Sequence, residues 1–163
     1  MVDIDKLTKE TIEKGGLLTM LYFDLHGSSK EILTQLGAGF IQKLLKEPGV
    51  LSAYGEIDEP LETEDKKFFS TSVEVKILTK DFNSLVNICA LYSPFGAEIL
   101  RPNEVKLRLD SAQDVLMAVS NSTFEYKKYI IEKISSPQDV ERYKAHLKQK
   151  AELGKQLLEK KDD

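Results

Sequence analysis

Cysteine, histidine and tryptophan are nearly absent from this chain: one, two and none among 163 residues. A single thiol, Cys89, forms no intrachain disulfide, which fits a reducing cytoplasm. One cysteine and two histidines leave zinc without its usual ligands, no metal-binding spacing is present, and no metal or other cofactor is expected. No apolar run approaches the ~20 residues that cross a bilayer, so no membrane partner is expected. The first fourteen residues, MVDIDKLTKETIEK, contain acids and no apolar stretch, so a secretory signal is not expected either. An excess of positive charge is also lacking. Twenty-three Lys and Arg against 27 Asp and Glu leave a net charge of −4, with a pI of about 5.4. Such a chain has no long-range attraction for nucleic acid, which makes that class of partner disfavoured. No catalytic signature stands out, and an enzyme is not expected.

What is present is patterning. Hydrophobic residues make up 41% of the chain, enough for a core, beside a high 31% of charged residues. Residues 1–15 read as an arm or short helix, broken at Gly15-Gly16. Leu17 to Leu25 (LLTMLYFDL) has the length and residue types of a strand. Ser28 and Glu31 make a capping-box pattern, and Ile32, Leu36, Phe40 and Leu44 then recur at helical spacing until Pro48-Gly49. Val50 to Ile57 is a second strand, and the acidic 58–67 an exposed loop. From Phe69 to Leu78, Thr71, Val73, Val75 and Ile77 alternate with Ser70, Ser72, Glu74 and Lys76, the period of a half-buried strand.

Asp81 caps a second helix through Phe82, Leu85, Val86 and Cys89, which ends at Ser93-Pro94-Phe95-Gly96. Cys89 lies on its apolar face, where a small core residue is the expected role. Residues 97–100 and 105–109 supply a last strand region interrupted by a turn. A long helix from Asp110 to about Ile134 carries Val115, Val119, Tyr126 and Ile130 near one face. Ser136-Pro137-x-Asp139 starts another, apolar at Val140, Tyr143, Leu147 and Leu158, whose end is expected to fray. The order is strand, helix, strand, strand, helix, strand. It predicts an α+β, ferredoxin-like βαββαβ antiparallel sheet over residues 16–109, with helices on one face and a C-terminal helical extension over 110–163.

In such a sheet the uncovered face is where partners meet the protein. Alternation places Leu18, Met20, Tyr22 and Asp24 of the first strand there, with Tyr54 and Glu56 of the second, Glu74 of the third and Glu98 of the fourth. The face therefore has an apolar end, Leu18 and Met20, that needs a cover from the C-terminal helices or a second subunit. Its acidic end, Asp24, Glu56, Glu74 and Glu98, suits a basic partner or solvent. The second candidate is the turn Asp24, His26, Gly27, Ser28 and Ser29, where a helix N-terminus could meet an anion and Asp24 and His26 could handle protons. Its bland counterpart is that Gly27 makes the turn and Ser28 the cap. Tyr22, Phe23, Phe68 and Phe69 also fit, loosely, the strand aromatics of an RNA recognition motif, although the acidic face and scarce arginine oppose that reading.

Two local likenesses add to this. DLHGSSKEIL, with the element order, resembles ACT-type regulatory domains, and that resemblance implies dimerisation and a ligand loop after the first strand; His26 stands where a proline commonly precedes the glycine. Residues 73–105, through Tyr92, Gly96, Ala97, Glu98, Ile99, Leu100 and Pro102, resemble the C-terminal extension of WYL-type transcriptional regulators. The whole chain is similar to small archaeal proteins of unassigned function. The expectation is a non-catalytic cytoplasmic binding or assembly module, a homo-oligomer with a possible protein partner. A ligand sensor or enzyme built on the Asp24–Ser29 loop, and an RNA-binding sheet, are the alternatives.

Overall fold

The computed structural model describes residues 3–64 and 67–159. Of the end expected to fray, 158–163, residues 160–163 and the side chains of Leu158 and Glu159 lie outside the described residues, as do Asp65 and Lys66 of the acidic loop. The elements run α1 (Ile4–Glu13), β1 (Leu17–Gly27), α2 (Lys30–Leu45), β2 (Val50–Ile57), β3 (Leu61–Glu62), β4 (Phe69–Thr79), α3 (Phe82–Tyr92), β5 (Gly96–Arg101), α4 (Leu109–Ile134) and α5 (Pro137–Glu159). Among the described residues this is an α+β chain with five helices and one open, five-stranded antiparallel sheet. The strand order is β2-β4-β1-β5, with the two-residue β3 attached to β4. The chain divides into two compact units, Met1–Val119 and Ser120–Asp163, and the division falls inside α4.

The sheet is built around its two central strands. β1 and β4 pair from Leu17↔Thr79 to Gly27↔Phe69 without interruption, so the odd-numbered residues of both strands share one face. Leu17, Leu21, Phe23, Val73, Val75 and Ile77 there form a buried cluster with Leu44 of α2 and Leu85 and Ile88 of α3. An aromatic run ties these layers together: Phe23 meets Phe40 edge-on at 4.7 Å, and Phe40 meets Tyr92 at 5.6 Å. The Tyr92 hydroxyl donates to Glu47, and burial with that carboxylate pushes its phenol up to about 12. Cys89 is half-buried against the same core, and burial pushes its thiol up, away from nucleophilic use.

Local chemistry sets the boundaries. Asp3 caps α1, accepting from the backbone amides of Asp5 and Lys6. Asp81 caps α3, accepting at 2.8 Å from the Ser84 amide and at 2.7 Å from its hydroxyl. Ser136 caps α5 by accepting from the Asp139 amide at 3.3 Å, ahead of Pro137 in the first turn. Gly49, at φ +83°, closes the α2–β2 turn in a conformation that L side chains resist.

Several expectations shift. Ser29, not Ser28, caps α2, accepting from the Ile32 amide at 3.3 Å. The buried face of α2 is correspondingly displaced to Leu33, Gly37 and Leu44, leaving Ile32 and Leu36 exposed at 43% and 49%. Residues 105–108 form no strand, and α4 begins at Leu109. The reason is geometric: Arg101 already pairs with Leu18, one residue from the start of β1, so the chain beyond has nothing to pair with there. In α4 Val115 and Ile130 are half-buried, but Val119 and Tyr126 are exposed, and the helix contains no buried residue.

The apolar end of the open face has a cover that was not anticipated. It is α1, whose Ile4, Thr8 and Ile12 line a groove together with a half-buried Leu18. Leu78, on the same face as Leu18, is wholly buried. Gly16 makes the close approach possible: a Cβ there would lie 2.3 Å from Thr11 Cγ2 and 2.6 Å from the Thr79 carbonyl oxygen.

Candidate functional site

The even-numbered residues of the central strands and their neighbours form regular rows across the open face. Leu78 sits between Ser52 and Leu18, with Arg101 beyond. Lys76 sits between Tyr54 and Met20, with Glu98 beyond Met20. Glu74 sits between Glu56 and Tyr22, with Gly96 beyond Tyr22. Asp24 pairs with Ser72 and His26 with Ser70. The structure thus brings Leu18, Met20, Tyr22, Asp24, Tyr54, Glu56, Glu74 and Glu98 onto one face, grading from apolar to acidic.

Contacts within the rows are polar and partly exposed. The Lys76 ammonium lies over the Tyr54 ring at 5.7 Å. The Tyr22 hydroxyl donates to Glu98 Oε2 at 3.3 Å, and the Phe95 ring stands 6.1 Å from the Tyr22 ring. Desolvation, then the charges of Glu98 and Glu74, raise the Tyr22 phenol above its ordinary value. Glu56 and Glu74 face each other directly, an arrangement that costs stability. Among the described residues no group of three or more His, Cys, Asp or Glu could hold a metal ion.

In the β1–α2 turn each of the named residues has a local partner or position. His26 Nε2 lies 2.9 Å from Asp24 Oδ2, with both side chains more than half exposed. Gly27 has a packing role, since a Cβ there would come within 3.0 Å of Leu33 Cγ. Ser29 is engaged as the α2 cap and Ser28 is exposed. Glu31 folds back on this terminus, where its own backbone amide and the Ser29 hydroxyl hold its carboxyl below the usual range. The helix end is therefore already supplied with a carboxylate and a hydroxyl. The five turn residues do not converge: Asp24 and His26 pair with each other, while Gly27 and Ser29 serve α2.

Of the aromatics of the RNA-motif pattern, Phe68 is 53% exposed and Phe69 pairs with Gly27. Phe23 is 3% exposed in the core, whereas Tyr22 is on the opposite face. Lys66, part of the second aromatic motif, lies outside the described residues.

Two features were missed by reading the sequence. The first is a groove of about 750 Å³ between α1 and the sheet, which draws its lining from residues as far apart as Ile4, Tyr54, Lys76 and Arg101. Ile4, Thr8 and Ile12, each four residues apart, were the available signal that the arm is a helix with a lining face. The second is the exposure of β5: the strand expected over 97–100 is there, but Ala97, Glu98, Ile99, Leu100 and Arg101 are all exposed. No helix of the described residues is long and apolar enough to cross a membrane.

Comparison with known proteins places the chain in one family. The model of the MJ0538 family matches residues 18–151, and the chain belongs to that family. No curated protein and no solved structure matches it.

Proposed function

We propose that this member of the MJ0538 family is a non-catalytic binding and assembly module that acts as a homodimer. We read its four long strands and two covering helices as a ferredoxin-like βαββαβ arrangement. The ACT-type resemblance favours self-association, and the single cysteine favours a cytoplasmic setting. The observation that carries the reading is the edge of the sheet. Among the described residues β5 pairs with β1 on one side only, and its outer backbone groups are a template for another strand. Ile99 and Leu100, 43% and 38% exposed, supply apolar surface on the two sides of that strand.

Pairing through the open face is disfavoured. It would oppose Glu56, Glu74 and Glu98 of one copy to those of the other, and α1 already occupies the apolar end. Antiparallel pairing of β5 with a second β5 is isologous and closes at two copies. The acidic face is then left outward, where it repels nucleic acid and suits a basic protein partner.

Light scattering on the full chain at micromolar concentration tests this. The expected result is twice the chain mass, and a single-chain mass with Ile99→Lys, a substitution at a half-exposed position that leaves the circular dichroism unchanged. A wild-type protein that is a monomer overturns the proposal.

A further inference from the structure

The groove between α1 and the sheet combines features that the assembly reading does not use. Its volume, about 750 Å³, lies within the ~300–1,000 Å³ of small-molecule sites. Ile4, Ile12, Leu18 and Leu100 give it apolar walls. Lys9 enters from α1, Lys76 from the sheet and Arg101 from the end of β5. Among the described residues none of these three cations has a carboxylate within ion-pairing distance, although Lys6, Lys30, Lys80 and Arg108 do. Asp5 and Glu13 also line the groove, both on α1, so cations exceed acids there while the chain as a whole is acidic. The Tyr54 ring, under the Lys76 ammonium, adds an aromatic surface and a hydroxyl.

We propose that this groove is a binding site for a small organic anion with an apolar body, of the class of medium-chain or aromatic carboxylates. The apolar part lies against Ile4, Ile12, Leu18 and Leu100, and the anionic head meets Lys76 and Arg101. Apolar walls with a few placed polar groups are the usual composition of such sites, and a partly enclosed position strengthens charge pairing over that in water. The site is formed within one chain and does not rest on the assembly reading.

The test uses the full chain and the fluorescent anion 8-anilinonaphthalene-1-sulfonate, with the uncharged N-phenyl-1-naphthylamine as its control and decanoate as competitor. The expected result is saturable enhancement at one anion per chain, displaced by decanoate, and weaker binding of the neutral dye. Lys76→Glu with Arg101→Glu should weaken the anion about tenfold or more. Lys9→Glu, on an exposed turn of α1, should weaken it in the same direction and serves if the double variant does not fold. Ile99→Lys should leave affinity unchanged, so a failed dimer and a failed site give different outcomes. Equal affinity for the two dyes, or charge reversals without effect in a folded protein, overturns the proposal, as does loss of binding in Ile99→Lys.

Discussion

On the helix-covered face of the sheet Leu21, Val75 and Ile77 are wholly buried, while one residue along, on the open face, Met20 and Lys76 are half-exposed and Glu74 is exposed. The same two strands serve both faces, so backbone pairing is common to them and only the side chains differ. The covered face has aliphatic and aromatic residues in contact with two helices and supplies most of the burial that offsets chain entropy. The open face has Glu56 opposite Glu74, a Lys76 ammonium over the Tyr54 ring and a phenol held by Glu98, a set that packing alone does not select. What stability does not explain on that face is where interaction chemistry is to be sought.

The sharpest break of this comparison is a pair of neighbours. Leu21→Ala should cost about 2–5 kcal/mol by leaving a cavity, and Met20→Ala clearly less, both read from urea unfolding. Equal losses would mean that the faces are not energetically distinct. Next in size is Gly16→Ala, whose Cβ would strike Thr11 and the Thr79 carbonyl. It should cost roughly 1–3 kcal/mol and speed hydrogen exchange in α1 more than in α2.

Alkaline pH gives a third effect. The Tyr92 phenol, at about 12 in the folded chain, lies above its ordinary value of 10. An unfolded chain therefore loses this proton first. The contribution is complete below pH 10 and falls as pH rises from 10 through about 12. Tyr92→Phe should flatten that part of the stability curve, measured by urea midpoints between pH 9 and 11.5. The smallest effect, and of opposite sign, is expected at the open face: Glu74→Gln should raise stability by a few tenths of a kcal/mol by relieving Glu56. The gain should shrink in high salt.

Much of the sheet was legible because the two faces meet different solvents. In β4 the alternation of Ser70, Ser72, Glu74 and Lys76 with Thr71, Val73, Val75 and Ile77 reports burial directly, and with β1 it gave the correct membership of the acidic face. Where both sides of an element are apolar the signal fails. α2 has Ile32 and Leu36 outward while Gly37, a residue with no apolar signature, is buried close to Ile57. Val105-Lys106-Leu107-Arg108-Leu109 alternates like a strand, but a strand also needs a neighbour, and β1 has ended.

The cover over Leu18 was illegible for a related reason. Nothing local in Ile4–Glu13 says which surface it will meet. The groove it creates joins segments near residues 4–13, 18, 52–54, 76 and 100–101, a set that only the folded chain assembles. At the Asp24–Ser29 turn the structure adds what spacing did not show: Gly27 packs near Leu33, and Ser29, not Ser28, is the cap.

The most direct test of the assembly account is amide hydrogen exchange of the full chain as a function of protein concentration. The account expects protection of the outward-facing β5 amides, within Gly96–Arg101, to rise as the chain associates, while amides of β4, already paired on both sides, stay unchanged. Protection of β5 that is independent of concentration across the range where mass changes, or a change confined to the open-face strands, would contradict it.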